Sequence, residues 1–270
     1  MFISICRCFS YFCATNLRLM KFITLVFAAL LSGIVFGQSN VKDTTLSIPM
    51  FYASWAWQVP GGDLADRYGN NSTLTGGFQW KTASNWIFGG DFNFIFGGDI
   101  KNEDQIMTNI KTVSGNIIDN AGSFAYYNLF ERGFYVNGKV GKLIPVLSPN
   151  PNSGFIVTGG IGYLQHKIRI EVTNNNVPQL NGDYKRGYDR LAAGFTTNEF
   201  VGYLFMSNSR LLNFYGGFEF CQAWTTPQRD VNFDTKLPDP VQKRFDILNG
   251  FRIGWIIPIF TREPEKFYYY

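Results

Sequence analysis

Long runs in which aromatic and small polar residues alternate one for one leave this chain few folds to choose from. Phe51, Ala53, Trp55, Trp57 and Val59 alternate with Tyr52, Ser54, Ala56 and Gln58. Trp86, Phe88, Phe92, Phe94 and Phe96 alternate with Ile87, Gly89, Asp91, Asn93 and Ile95. The same beat returns at 74–81, 212–221 and 251–259. A period of two is the signature of a β-strand, whose successive side chains point to opposite faces. These strands therefore belong to a sheet with one strongly apolar face and one polar face. Helical folds are excluded over most of the chain, and so is disorder, since 17% of the residues are aromatic and only 16% charged.

Two architectures use such strands. In a soluble sandwich the aromatic face is the core. In a transmembrane barrel it meets lipid, and the polar face fills the lumen. The apolar faces run for roughly 9–11 residues, the length that crosses a bilayer. The opposite faces carry Gly, Asn, Gln and isolated charges, the contents of a narrow packed lumen. The sequence predicts an all-β, antiparallel, up-and-down transmembrane barrel. Eight strands are expected at 47–59, 73–83, 86–98, 133–144, 154–171, 186–205, 211–223 and 245–259, with ten as the alternative count. The connections at 84–85, 148–154 and 207–210 are short, whereas 60–72, 99–132, 172–185 and 224–244 are long. Short turns at one end and long loops at the other are the outer-membrane pattern, and they place both termini at the turn end. Within 99–132, residues 120–131 are expected as a short helix or 119–130 as further strand. Trp55, Trp57 and Trp224 fall toward the loop side and Trp80 and Trp86 toward the turn side, as two interfacial girdles require.

The start of the chain reads as a targeting segment. Lys21 precedes an apolar run, Phe22–Phe36, that ends in Gly37-Gln38. This is the layout of a cleavable secretory signal. Residues 1–37 are assigned to it, with Met20 an alternative start, 38–260 to the barrel and 261–270 to a periplasmic tail. The chain holds 24 basic and 20 acidic residues, and residues 1–37 contain three of the bases and no acid. The remainder carries 21 bases against 20 acids, a formal net of +1, so nucleic-acid binding has no electrostatic basis. Cys6, Cys8 and Cys13 fall in the leader as well. Cys221 alone cannot form an intrachain disulfide or a cysteine-based zinc site.

Several stretches resemble small outer-membrane β-barrel proteins of Bacteroidota-type bacteria. They are the signal ending in Gly37-Gln38, the Pro149-Asn150-Pro151-Asn152-Ser153-Gly154 turn, the run from Gly159 to Lys167, the run from Gly182 to Arg190, and the aromatic end Phe267-Tyr268-Tyr269-Tyr270. The resemblance implies the outer membrane of a Gram-negative cell. A terminal aromatic is similar to the assembly signal of such barrels, but here Thr261–Lys266 separate it from the last strand.

Six charged residues are expected on the lumen face: Lys81, Asp91, Lys139, Glu219, Asp246 and Arg252. Three acids and three bases in so narrow a space need partners, because an unpaired desolvated charge is costly. No catalytic residue is expected. The chain has one histidine, His166, and no G-x-S-x-G motif. No cofactor or metal is expected either. Asn102-Glu103-Asp104 and Asp230 with Asp234 supply loop carboxylates, without the spacing of an EF-hand. Tyr184, Lys185, Arg186, Tyr188 and Arg190 gather charge and aromatics where a loop meets a strand, a candidate contact for outer-membrane lipid or a partner protein. Phe267, Tyr268, Tyr269 and Tyr270 are candidates for periplasmic docking. The function expected is a non-catalytic structural or accessory subunit of an envelope export or assembly complex. A narrow solute channel and a lipid-modifying enzyme are the alternatives.

Overall fold

A computed structural model of the chain describes residues 45–173, 176–207, 212–233, 235–238 and 243–259. The expected signal segment and the 261–270 tail lie outside the described residues. Among those described, eight long strands form the wall: β1 (Ile48–Gly62), β2 (Asn71–Lys81), β3 (Trp86–Gly97), β4 (Phe124–Ile144), β5 (Gly154–Thr173), β6 (Ala192–Phe205), β7 (Phe214–Pro227) and β8 (Arg244–Pro258). Each pairs antiparallel with the next in sequence. β8 then returns to β1, in a register that sets Trp55 against Ile253 and Ala56 against Arg252. The sheet is a closed eight-stranded barrel, and closure removes the sheet edges that would expose unpaired backbone.

Alternation sets the two faces as the sequence predicts. Phe51, Trp55, Trp57, Leu74, Phe78, Trp86, Phe88, Phe92 and Phe94 point out, while Tyr52, Ser54, Gln58, Thr75, Gln79 and Asn93 are buried inside. On β3 the outward aromatics run from Trp86 to Phe94, and on β4 apolar side chains run outward from Phe134 to Ile144. Eight to ten steps of roughly 3.4 Å, tilted by roughly 40°, make a band roughly 20–25 Å tall, the height of an outer-membrane hydrocarbon layer. Trp80 and Trp86 sit at its turn end, where Trp80 is opposite Pro49 and Trp86 opposite Lys142. Trp57 and Trp224 sit toward its loop end.

The differences from expectation lie at the loop end. β4 begins at Phe124, not at 133, and β5 runs to Thr173. β3 stops pairing at Glu131 and β6 at His166, so the β4–β5 ribbon rises about seven residues above its neighbours, roughly 20 Å. The helix considered for 120–131 is absent there. A single helical turn, α1 (Glu103–Met107), lies earlier in the same loop. β6 starts at Ala192, because 184–187 form a 3-10 turn instead of strand. The ten-strand count is not needed. The residues assigned to extra strands lengthen β4, and pairs such as Ile117–Ile118 only touch it.

The four long loops cap the barrel. Asp63 and Phe245 exchange backbone and carboxylate bonds of 2.9 and 2.7 Å, which tie the first loop to the start of β8. Phe233 N–H donates to the Gly187 carbonyl at 2.9 Å, and the Asn109 amide donates to the Phe233 carbonyl at 2.6 Å. Beneath these bonds Leu64, Tyr68, Ile106, Met107, Leu129, Ile168, Val177, Leu180 and Tyr188 form a buried apolar cluster.

Candidate functional site

The inward faces of seven strands meet at the Arg252–Glu219 pair. Arg252 Nε donates to Glu219 at 3.0 Å and its Nη2 to the two Glu219 carboxylate oxygens at 2.7 and 2.6 Å. Nη1 donates to Ser54 at 2.9 Å and also to Thr75. Nη2 reaches the Tyr135 hydroxyl at 2.9 Å and Asn93 Oδ1 at 3.1 Å. Glu219 is satisfied in turn by Asn198 at 2.7 Å, Tyr135 at 3.2 Å and Gln58 at 3.3 Å. A planar five-donor fork fits this fan of acceptors, which an ammonium does not.

The network continues toward the turn end. Asn93 donates to Asp91 at 2.6 Å. Asp91 accepts from Lys139 at 2.9 Å and from the Tyr52 hydroxyl at 2.7 Å, and Lys139 also donates to that hydroxyl. The rings of Tyr52 and Tyr215 take up the remaining space. They lie where Gly77 and Gly254 would carry a Cβ, at 2.4 and 2.2 Å, so any side chain at either position would displace them. Between Asp91, Lys139, Glu219 and Arg252 the described residues leave a cavity of about 20 Å³. That holds one water at most.

Of the six charges expected in the lumen, four belong to this connected network. The other two stand apart. Asp246 accepts from Thr225 at 2.5 Å and meets His166 Nε2 at 3.1 Å near the loop end. Lys81 lies at the turn end and donates to the Leu46 carbonyl at 3.0 Å and Asn152 at 2.9 Å. None of the ion pairs among the described residues includes it. Glu131 was not singled out in the sequence, yet it is buried inside and held by Asn71 at 3.0 Å. Its inward position was hidden because residue 131 was read as loop.

His166 is buried between Asp246 and Tyr68, whose hydroxyl lies 3.4 Å from Nδ1. Burial raises the Tyr68 pKa above the ordinary phenol value, which keeps that hydroxyl protonated. Among the described residues, no three His, Cys, Asp or Glu side chains gather as a metal site. Asp234 lies outside them.

The 184–190 stretch divides. Tyr184 and Arg186 are exposed, and Lys185 is half-buried. Tyr188 is turned into the cap and packs edge-on against Phe233, with ring centroids 5.5 Å apart. It is therefore closed to a lipid or partner, because the cap needs its ring as core. Arg190 is half-buried, and its carbonyl accepts from Arg67 at 3.5 Å. Lys185 and Arg186 instead line a cleft of about 510 Å³ on the outside of the barrel, shared with Arg132, Lys167, Arg169 and Arg229. The strand bases of that cleft were missed. Arg132 lies on β4 while Lys167 and Arg169 lie on β5, and only cross-strand register brings them together. Phe267, Tyr268, Tyr269 and Tyr270 lie outside the described residues.

No protein-family model matches the chain, and no curated protein matches its sequence. Solved structures that align with it include Ail, the attachment invasion locus protein of Yersinia pestis, at 10% identity and TM-score 0.41, covering 78% of this chain and 99% of that one. The same protein in complex with the heparin analogue sucrose octasulfate aligns at 11% identity and TM-score 0.38, over 78% and 99%. Neisserial surface protein A aligns at 7% identity and TM-score 0.36, over 77% and 96%.

Proposed function

We propose that this chain is a non-catalytic outer-membrane barrel that serves as a structural or accessory subunit of an envelope assembly, in protein export or outer-membrane assembly. The observation that carries the reading is the filled lumen. Among the described residues, the space beside the Arg252–Glu219 pair is a cavity of about 20 Å³, which supports a bore closed to solutes at that level. The working surfaces are then the outer wall and the loop cap. The band of outward aromatics supports insertion in a bilayer.

The channel reading has less support, because the interior charges satisfy one another across the bore instead of lining an opening. The enzyme reading has less still. His166 is buried beneath the loops and bonds a carboxylate and a phenol, so no substrate reaches the one candidate base.

The test is purification of the full chain from outer membranes in mild detergent, with a tag in the 228–243 loop. Stoichiometric association with envelope machinery is expected, and recovery of a lone barrel overturns the accessory role. Planar-bilayer recordings address the lumen separately. No conductance is expected from the wild type, and steady conductance that changes in Glu219→Gln or Arg252→Gln would overturn the filled-lumen argument.

A further inference from the structure

Strand register lays down an ordered outer face at the loop end of β3, β4 and β5. Phe94, Phe134 and Gln165 are partners in one row. Two residues further toward the loops, roughly 7 Å along the strands, the row is Phe96, Arg132 and Lys167. The next row pairs Phe130 with Arg169. A wall of aromatics thus gives way to a tier of bases within two rows. The 3-10 turn Tyr184–Gly187 brings Lys185 and Arg186 over the same place.

The acids nearby do not balance these bases. Asp189 is the one carboxylate lining the cleft, and Arg229 holds both its oxygens, at 2.9 and 2.6 Å. Those hydrogen bonds raise the Arg229 pKa above its ordinary value and leave the pair self-contained. Glu171 and Asp183 each engage one base, Arg169 at 2.7 Å and Arg186 at 3.1 Å, in exposed pairs that salt screens. None of the ion pairs among the described residues involves Arg132, Lys167 or Lys185. Arg132 is held ready: it donates to the Glu131 carbonyl at 2.7 Å and lies 5.1 Å from the centre of the Phe130 ring. Like charges crowded in one cleft repel, and an anion relieves that repulsion.

We propose that this cleft, formed by Arg132, Lys167, Arg169, Lys185 and Arg186, binds the phosphate of a phosphorylated glycolipid in the outer leaflet, with its acyl chains against the aromatic wall below. The placement selects a lipid over a free anion. The bases stand directly above the apolar band, at headgroup height, and Phe94 lines the cleft beside them. A volume of about 510 Å³ fits one phosphorylated sugar. Arginine forks suit the phosphate oxygens. The inference rests on the membrane-spanning reading above but not on the accessory role.

The test reconstitutes the full chain in phosphatidylcholine vesicles containing either diphosphorylated lipid A or its dephosphorylated form, then measures glycolipid retained after mild extraction by native mass spectrometry. Retention is expected to fall roughly tenfold or more without the phosphates, and equally in Lys167→Gln/Lys185→Gln. Lys142→Gln is the control, since Lys142 lies over Trp86 at the opposite rim and its loss is expected to change nothing. Heat-modifiable gel migration reports folding. If the first double variant does not fold, Arg169→Gln/Arg186→Gln replaces it, as both side chains are exposed. Equal retention of the two lipids overturns the proposal. Displacement of bound lipid A by inorganic pyrophosphate at equal headgroup concentration assigns the cleft to a free anion and overturns the lipid source. A lone barrel in the purification test leaves this result untouched, so the two readings fail separately.

Discussion

The interior is built from opposite materials at its middle and at its loop end. The middle is polar and drawn from strands far apart in sequence. Arg252 on β8 bonds Ser54 on β1, Thr75 on β2, Asn93 on β3 and Tyr135 on β4. The loop end is largely apolar above the Asp246–His166 pair and is made by the loops and the β4–β5 ribbon, through Leu64, Ile106, Leu129, Ile168 and Leu180. The difference teaches which part depends on the whole. A charge network across the bore exists only once the barrel has closed, so breaking it acts on the entire wall. An apolar cap is held by burial and opens locally while the wall stands.

The largest expected effect is therefore at Arg252. Arg252→Met leaves Glu219 buried without its cation, which costs roughly 3–5 kcal/mol. Urea or guanidinium unfolding of the inserted barrel is expected to show that loss as one transition. Arg252→Met combined with Glu219→Leu removes both charges and is expected to recover most of it, because an apolar pair of similar volume is often as stable as a buried ion pair. A double variant as unstable as the single one would show that the hydrogen bonds to Tyr135, Asn198 and Asn93, not the charges, hold the middle together.

Truncation in the cap comes second. Leu129→Ala or Ile168→Ala removes a buried side chain and is expected to cost roughly 2–4 kcal/mol of local stability. The readout that separates the regions is hydrogen exchange with limited proteolysis. The loops near 98–123 and 176–191 are expected to open early while the wall keeps its protection. If the cap variants instead lowered the global midpoint as Arg252→Met does, the two regions would be one cooperative unit and the comparison would fail.

The wall was legible because its physics is local. Lipid on one side and a packed bore on the other impose a two-residue period on every strand, so Trp55, Phe78 and Phe94 declare their faces before any partner is known. The six lumen charges were legible on the same basis, and all six point inward. Their pairing was not. That Arg252 meets Glu219 while Lys81 serves a carbonyl and an amide depends on bore geometry and register, which a period does not carry. The loop end was least legible. There the ribbon emerges from the membrane and its outward face alternates less cleanly, through Phe124, Tyr126, Asn128 and Phe130. The absence of a lipid-facing pattern made true strand look like loop.

A third prediction sharpens the boundary between cap and wall. Asp189 is buried and bonds Arg229 twice, and its backbone carbonyl accepts from Ile168 N–H at 2.7 Å. Asp189→Asn is expected to destabilise the loop end by roughly 1–3 kcal/mol, since a half-buried guanidinium loses its anion. Faster exchange confined to 176–191 and 228–233 is the expected signature.

The smallest effect is expected at the Lys111–Asp104 pair on the outside of the cap. Its 2.5 Å contact is the short one among the exposed ion pairs, yet the Asp104 side chain is 95% exposed. The hydrogen bond to Asp104 is the first cause that raises the Lys111 pKa. A base with a raised folded pKa contributes its stabilisation below its unfolded pKa and loses it as pH rises through the folded one. The contribution is thus fully present at neutral pH and disappears only above the ordinary lysine range. Water and salt screen it, so Lys111→Gln is expected to change cap stability by no more than ~0.5 kcal/mol at pH 7. Loop exchange rates in wild type and variant, compared at low and high salt, check this. An effect as large as that of Asp189→Asn would mean that the Lys111 contact with the Tyr127 ring, 5.6 Å from its centre, anchors the loop to the β4–β5 ribbon, and that the cap is held from outside as well as from within.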